Sequence, residues 1–587
     1  MKEKWILINK KTDFRTMAET LRIDPLTARI LANRGVDTAQ KAAFYLKGTL
    51  KDLPDPALLK DAAMAADLLV LALKSGRSVA VASDYDVDGL FAGQILKESL
   101  SALGFAVKVF TPNRIEEGYG LNRRIVDEAE AFGAGVLITC DNGIASLDEV
   151  AYAKELGLSV IVTDHHEPQE GGIPAADAVI DPKRADCDYP FDGICGAVVA
   201  LKLMQLLYRR LGRDENALLE KMLPYAAIAT VADVMDLTEE NRVIVRLGLK
   251  ALSRTENEGL QALIRQQGLD GRPVTAYHIG FVIGPCFNAA GRLETVEPAR
   301  RLLEAKGEEA EALAGELIAL NQERQKLTNE GLARAEAVLT EEIRTQGAPD
   351  KILVVHLPEV HESVAGIVAG RLKEKYHRPA LVITGVGEAC KGSGRSLEIY
   401  NLFEHLEACA DLLLRFGGHA MAAGFSLKEE NIAPLRERLN RLCGLAEEDL
   451  IPVVELDAAM PPEYATVERI KEWDALAPFG KGFARPLFGR SGLELQSIRV
   501  LGMRRNALRL RFAGESGQSF EGIWFGDVTV WEEFLRENYG ERAFTMLERG
   551  QTKLKIALAY QPMLHEYEGR RSVQFQILHF QPASGEG

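Results

Sequence analysis

The sequence predicts a multidomain α/β protein: a parallel-sheet domain, a connecting helix, a second α/β domain and a small C-terminal β-barrel. Three observations carry this prediction. Short apolar runs alternate with helical stretches from residue 78 onward, which implies a parallel sheet covered on both faces. Residues 308–345 form a polar segment without proline whose apolar residues recur at helical spacing. Residues 451–587 alternate β-branched and aromatic residues, as in "NALRLRF" and "SVQFQIL", the pattern of a barrel of short strands.

The elements follow in order. Residues 1–50 read as a helical segment with a turn at "NRGVD", expected to cover one edge of the next domain. The first large domain spans 51–305, with strands at 78–83, 105–110, 135–140, 158–163 and 177–181 and helices near 90–103, 122–132, 145–156 and 195–212. The connecting helix occupies 306–345. A second α/β domain, 346–450, opens on "KILVVH" and "ALVIT", and the barrel takes 451–587.

Composition bounds the rest. With 47% hydrophobic and 26% charged residues, the 587-residue chain is an ordinary globular one. No apolar run is long enough to span a bilayer, and "MKEKWILINKKTDF" lacks the apolar core of a signal peptide. The seven cysteines are never spaced as CxxC, so reduced thiols in a cytoplasmic protein are expected and a thiolate zinc site is not. The net charge of −15 speaks weakly against a nucleic-acid partner, but carboxylates gathered into a metal site acidify a chain without acidifying its substrate groove.

"SDYDVDGL" places Asp84, Asp86 and Asp88 two residues apart before Gly89, as a calcium-binding EF-hand loop begins. Calcium is excluded locally: the twelfth position, which needs a bidentate Glu, is Ile95, and a strand precedes the loop where a helix is required. If the segment stays extended, the three carboxylates share one face and repel one another unless a cation lies among them. The third strand ends at Asp141 in "TCDNG", and the fourth at Asp164, His165 and His166 in "TDHHEP". Chemistry in such sheets lies beyond the carboxyl ends of the strands. Asp233 adds a carboxylate inside the apolar "AIATVADVMDL". Oxygen and imidazole donors without thiolate suit manganese or magnesium, and the supply matches two ions about 3.5–4 Å apart, an arrangement for hydrolysis at phosphorus. Adjacent histidines in an extended segment face opposite ways, so only one of the pair is expected to reach a metal directly.

"DYDVDG", "CDNG", "DHH" and "TVADV", in this order, resemble the motifs of the DHH phosphoesterase family. The likeness continues through "PNRIEEGYGLN", "IGPCFNAAGRL", "HESVAGIVAGRL", "GSGRS" and "FGGHAMAAGFSL", covering nearly the whole chain and including a barrel that smaller relatives lack. It implies the family's single-stranded-DNA-specific 5′→3′ exonucleases, which release 5′-mononucleotides in DNA recombination and repair. It also implies that Asp84, Asp86, Asp88, Asp141, His165 and Asp233 hold two Mn²⁺ or Mg²⁺ ions. Asp86, Asp141, His165, His166 and Arg292 would then carry the reaction. The substrate would be gripped by Arg114, Asn288, Arg292, His361, Ser393, Arg395, Gly417, Gly418 and His419. The family reads a polar residue such as Arg where Cys286 stands, and Asn-Pro-Glu where Phe483-Ala484-Arg485 stands.

The barrel adds its own signal. Residues 497–512 contain five arginines and no acidic residue, and Arg509 and Arg511 alternate with Leu508, Leu510 and Phe512. One face of that strand is basic, as in an OB fold that tracks a single strand's backbone. Arg570, Arg571 and Gln574 lie near another hairpin. The resemblance further implies a monomer with a helicase and a single-stranded-DNA-binding protein as partners and no membrane. Two alternatives stand beside this reading. One is a phosphodiesterase for oligoribonucleotides, bisphosphonucleosides or cyclic dinucleotides; the other is an inactive DNA-binding scaffold at replication forks.

Overall fold

The computed structural model describes residues 3–113, 117–169, 171–293, 295–503, 505–567 and 569–583. Chain contacts divide it into two units: residues 54–235 with 244–452, and residues 1–53 with 236–243 and 453–587.

In the first unit, five parallel strands stand in the spatial order Val107–Phe110, Ser78–Ser83, Ala134–Cys140, Ser159–Thr163 and Ala178–Ile180. The sequence places all five. The inner strands such as "SVAVAS" and "SVIVT" are buried nearly end to end because helices cover both faces, whereas the edge strand Val107–Phe110 exposes Lys108. The helices Val87–Ala102 and Gly196–Arg210 pack against each other on one face. Helix Arg123–Ala131 closes the other, burying Ile125, Val126 and Ala129 against Leu137 and Val160. Helix Glu215–Ala232 contains Pro224 and ends with Asp233 at its C-cap.

Helix Gly307–Gln346 runs for 40 residues, about 60 Å at 1.5 Å per residue. Its C-terminal half buries Ala335 and Leu339 against Val364 and Val368, so it packs on the second α/β domain and is the predicted connecting helix. That domain has a five-stranded mixed sheet in the order Leu413–His419, Ala422–Leu427, Cys390–Arg395, Ala380–Thr384 and Leu353–His356.

In the second unit, Phe488–Leu501 pairs with both Ala507–Ala513 and Leu554–Tyr567, which closes the strands into a barrel. The N-terminal segment departs from expectation. Lys4–Leu7 is a strand, and it pairs in parallel with Val453–Leu456. Residues 1–53 group with the barrel in one compact unit. Arg242 is fully buried here, donating to the carbonyl oxygens of Tyr45 and Pro478 with its guanidinium over the Phe483 ring. Phe483 thus fills the core at the point where the sequence departs from the family pattern. All seven cysteines are free, and none of the described helices is long and apolar enough to cross a membrane.

Candidate active site

Strand Ser78–Ser83 ends one residue before Asp84, and the chain then turns sharply into a helix. Asp86 is the N-cap of helix Val87–Ala102, its carboxylate accepting the Gly89 N–H at 3.1 Å. Asp88 sits in the first turn and accepts the Gly196 and Ala197 N–H groups at 2.6 and 2.8 Å, capping a second helix. The three carboxylates converge because of this strand–turn–helix geometry, and not because an extended chain alternates its faces. Two glycines make the approach possible. A Cβ on Gly89 would lie 2.7 Å from the Asp84 carbonyl oxygen, and one on Gly196 2.7 Å from Asp141 Cβ.

Around this turn the sheet delivers the remaining groups. His165 Nε2 lies 3.1 Å from Asp141 Oδ1 and 3.6 Å from both Asp88 Oδ2 and Asp233 Oδ2. Three triads bring their donor atoms within 4.8 Å of one another: Asp84, Asp86 and Asp141; Asp88, His165 and Asp233; Asp141, His165 and His166. Asp141 joins two of them and has φ +60°, a left-handed conformation that strains a non-glycine residue and concentrates at functional sites. The two histidine rings stand 4.5 Å apart on the same side. The expectation that they face opposite ways fails because the strand ends at Thr163. Asp164 then accepts the N–H groups of both His165 and His166, at 2.8 and 3.3 Å, and folds the segment into a turn.

Sequence reading names Asp164 at a strand end without giving it a role, and does not single out Tyr119 or Asp181. Asp164 holds His166 Nδ1 at 2.7 Å, and the Tyr119 hydroxyl lies 3.0 Å from the same nitrogen while donating to the Asp141 carbonyl at 2.7 Å. Asp181, buried at the end of the fifth strand, is raised to about 7 by burial and by the charge of Asp164. The rule that found Asp141 also points to Asp181.

The electrostatics call for cations. Burial, together with neighbouring carboxylates, pushes Asp84 and Asp141 well above the ordinary carboxylate range and raises Asp86. Asp88 is raised by burial in spite of its two backbone donors, and Asp233 is pushed up to about 8 by burial and by Asp88 and Asp86. Burial lowers His165 to about 4, so its imidazole is neutral and fit to ligate. Burial opposes the charge on His166, but the Asp164 hydrogen bond prevails and raises it to about 9. Asp84 Oδ1, Asp141 Oδ1 and both His165 ring nitrogens are buried without a hydrogen-bond partner. Orphaned oxygen and nitrogen donors beside an excess of buried carboxylate fit divalent ions bound by oxygen and imidazole.

These shifts carry a pH prediction. The raised carboxylates keep their protons in the metal-free fold to higher pH than in the unfolded chain. Stability of the metal-free protein therefore falls as pH rises from the ordinary carboxylate range toward about 8, where Asp233 titrates. Mn²⁺ replaces those protons and binds more tightly as pH rises. The melting temperature in EDTA is expected to drop between pH 6 and 8.5 while the stabilisation by Mn²⁺ grows, which thermal melts at fixed ionic strength check.

A cleft of about 390 Å³ lies beside the second α/β domain, lined by Arg292, His361, Ser363, Lys391, Ser393 and Arg415 among others. Arg292 Nη1 lies 3.5 Å from the Ser363 carbonyl, and His361 caps helix Glu362–Tyr376. Arg395 adjoins this lining, its Nη1 donating to Ser393 Oγ at 3.3 Å. Gly417, Gly418 and His419 lie exposed on the edge strand Leu413–His419, outside the lining, and Asn288 is half-buried on helix Gly284–Leu293. Arg114 lies outside the described residues.

Comparison with known proteins matches three family models: the DHH family N-terminal domain over residues 78–230, the DHHA1 domain over 350–444 and the RecJ OB domain over 456–579. The single-stranded-DNA-specific exonuclease RecJ of Salmonella typhimurium is 35% identical, with 94% of this chain and 95% of that protein covered. The chain belongs to the RecJ family. The Bacillus subtilis RecJ is 38% identical over 86% of this chain, a span that makes up 63% of the longer Bacillus protein. The crystal structure of Thermus thermophilus RecJ with Mn²⁺ superposes with a TM-score of 0.81 at 29% identity, covering 99% of this chain and 80% of that one. A Mg²⁺ complex of the same RecJ matches with a TM-score of 0.74, 28% identity, and 99% and 78% coverage, so both metals of the sequence prediction occur in RecJ structures.

On the RecJ OB domain, Arg509 and Arg511 project from strand Ala507–Ala513 while Leu508, Leu510 and Phe512 are buried, as the alternation predicts. Exposed Arg499 stands opposite Arg509, and Ile523 flanks Arg509 on its other side. Exposed Phe525 ends the neighbouring strand and was not singled out from sequence. The face is not purely basic, since Glu521 stands beside Arg511. Arg505 is paired with Glu532 and Arg571 with Glu566, whereas Arg504 and the Arg570 side chain lie outside the described residues.

Proposed function

We infer that the chain is a single-stranded-DNA-specific exonuclease that releases 5′-mononucleotides from the 5′ end by metal-dependent phosphodiester hydrolysis. The observation that carries this reading is the buried carboxylate–imidazole cluster, with its orphaned donors, at the carboxyl edge of the sheet. Asp84, Asp86, Asp88, Asp141, His165 and Asp233 are the residues that would hold two Mn²⁺ or Mg²⁺ ions. When bound, such ions activate water and neutralise charge building on the phosphate.

The protein's own groups supply the remainder. Asp164 and Tyr119 fix the His166 ring, and the Asp164 hydrogen bond favours its protonated form in the metal-free site. Arg292 and Arg395 add fixed positive charge, and Ser393 with the helix N-terminus at Glu362 offers donors suited to a phosphate group. The basic barrel strand favours a long strand over a dinucleotide, since its arginines have no role with a substrate of two residues.

Two measurements test this. A single-stranded oligonucleotide labelled at either end, given with Mn²⁺, is expected to yield mononucleotides progressively from the 5′ end, while a blunt hairpin is spared. Cleavage only of cyclic dinucleotides would contradict the reading. Separately, Arg509→Gln with Arg511→Gln is expected to flatten the dependence of log Kd on log salt by about 0.7 per lost phosphate contact. The same pair should leave kcat on very short strands unchanged. An unaltered salt slope would remove the barrel strand from the path.

A further inference from the structure

Residues 271–293, "GRPVTAYHIGFVIGPCFNAAGRL", contain no acidic residue in a chain that has 85 of them, and include Arg272 and Arg292. Within this stretch a π-helical turn, Ile279–Ile283, leads directly into helix Gly284–Leu293, which bears Asn288 and Arg292. π-turns interrupt helices chiefly at functional sites. The turn packs on helix Glu215–Ala232, the helix that ends in Asp233: a Cβ on Gly284 would lie 3.4 Å from Ala232 Cβ. Ile279 and Ile283 face inward and are fully buried.

The outward face carries two large rings. Tyr277 is 64% exposed and Phe281 68%, and they stack on each other with centroids 4.8 Å apart and planes within 28°. Val234, the residue after Asp233, is 60% exposed and holds φ +56°, an outlier for a β-branched side chain. Exposing two adjacent rings to water forgoes the burial that such side chains normally find. A face that is aromatic, built on a stretch of chain free of acidic residues, continuous with the arginine-bearing helix and backed by the Asp233 helix has the chemistry of a stacking surface for nucleobases.

We propose that Tyr277 and Phe281 form a platform on which bases of the single-stranded substrate stack as the strand approaches the Asp–His cluster. This rests on the exonuclease reading. The occupant is a base and not a phosphate, because the two stacked rings offer π-faces and carry no charge. It is sequence-tolerant, because every base has a π-face, and a rigid duplex, whose bases are already stacked, cannot use it.

The test compares the intact protein with a Tyr277→Ala, Phe281→Ala double variant on single strands, either normal or carrying a run of abasic residues near the 5′ end. The KM of the intact protein is expected to rise roughly ten-fold on the abasic strand, the size of one base–aromatic stack. The double variant should show the raised KM on both strands, with kcat retained, and Tyr277→Phe should behave as the intact protein does. Both rings are exposed, so the variant's melting temperature should match the parent's. An intact protein that degrades single strands with no abasic penalty, or a double variant that keeps the full penalty, overturns the platform and leaves the exonuclease reading standing. A protein that neither binds nor degrades single strands overturns both.

Discussion

Asp86→Ala is expected to lower strand hydrolysis by at least about 10³-fold with the fold intact, a loss typical of removing a group that acts in the transition state. Two effects on stability oppose each other. Asp86 caps helix Val87–Ala102 through the Gly89 N–H, and losing such a cap costs about 1 kcal/mol. Its charge, however, adds to the repulsion that raises Asp84, Asp141 and Asp233, so its removal relieves the metal-free cluster. The variant should therefore melt within a few degrees of the parent. His165→Ala should show the same loss of turnover with the fold intact, because both ring nitrogens are buried without a hydrogen-bond partner, so no structural hydrogen bond disappears with the ring. Retained activity after either change would remove that residue from the site.

Gly196→Ala is expected to damage the site from outside the set of titratable residues. The added Cβ would sit 2.7, 2.8 and 2.9 Å from Asp141 Cβ, Cα and Oδ1. One of these is a backbone atom in a strained left-handed conformation at the end of a central strand, with little freedom to retreat. The Gly196 N–H is also tied to Asp88, so moving the helix away breaks the contact that places a second carboxylate. Overpacking of this kind costs about 1–3 kcal/mol. Activity should fall by at least about 10²-fold, since displacement by an ångström is enough for that, and Mn²⁺ affinity should fall with it. Kinetics, a Mn²⁺ titration and a urea melt on the same preparation check the three. Near-parental activity would mean that the close approach of Gly196 to Asp141 does not position that carboxylate.

Much of this architecture is legible in the residues because parallel strands advertise themselves. "SVAVAS" and "SVIVT" are too apolar for anything but a doubly covered sheet, and the strand ends then name Asp84, Asp141 and His165 without further information. What escapes the sequence is geometry decided by side chain–backbone bonds. Whether Asp86 and Asp88 continue a strand or start a helix depends on which N–H groups they accept, and the partners of Asp88 lie in a helix more than a hundred residues on. The two histidine rings stand side by side, with His165 buried and His166 partly exposed, because Asp164 accepts both of their N–H groups. The pairing of "KWIL" with Val453–Leu456 is beyond local pattern altogether, since a four-residue strand carries too little signal to name a partner at the other end of the chain. Tyr277 and Phe281 are not singled out by the sequence, since only the structure shows that their rings are exposed.

The Asp–His cluster is expected to hold two divalent ions on which hydrolysis depends. A Mn²⁺ titration of the metal-free protein, with bound ion counted and single-strand cleavage measured at each point, tests it most directly. Two ions per chain are expected in the cluster, with cleavage rising as the second fills and Asp86→Ala losing at least one of them. Cleavage at the full rate by metal-free protein in EDTA, or with no Mn²⁺ bound that Asp86→Ala displaces, would contradict the account.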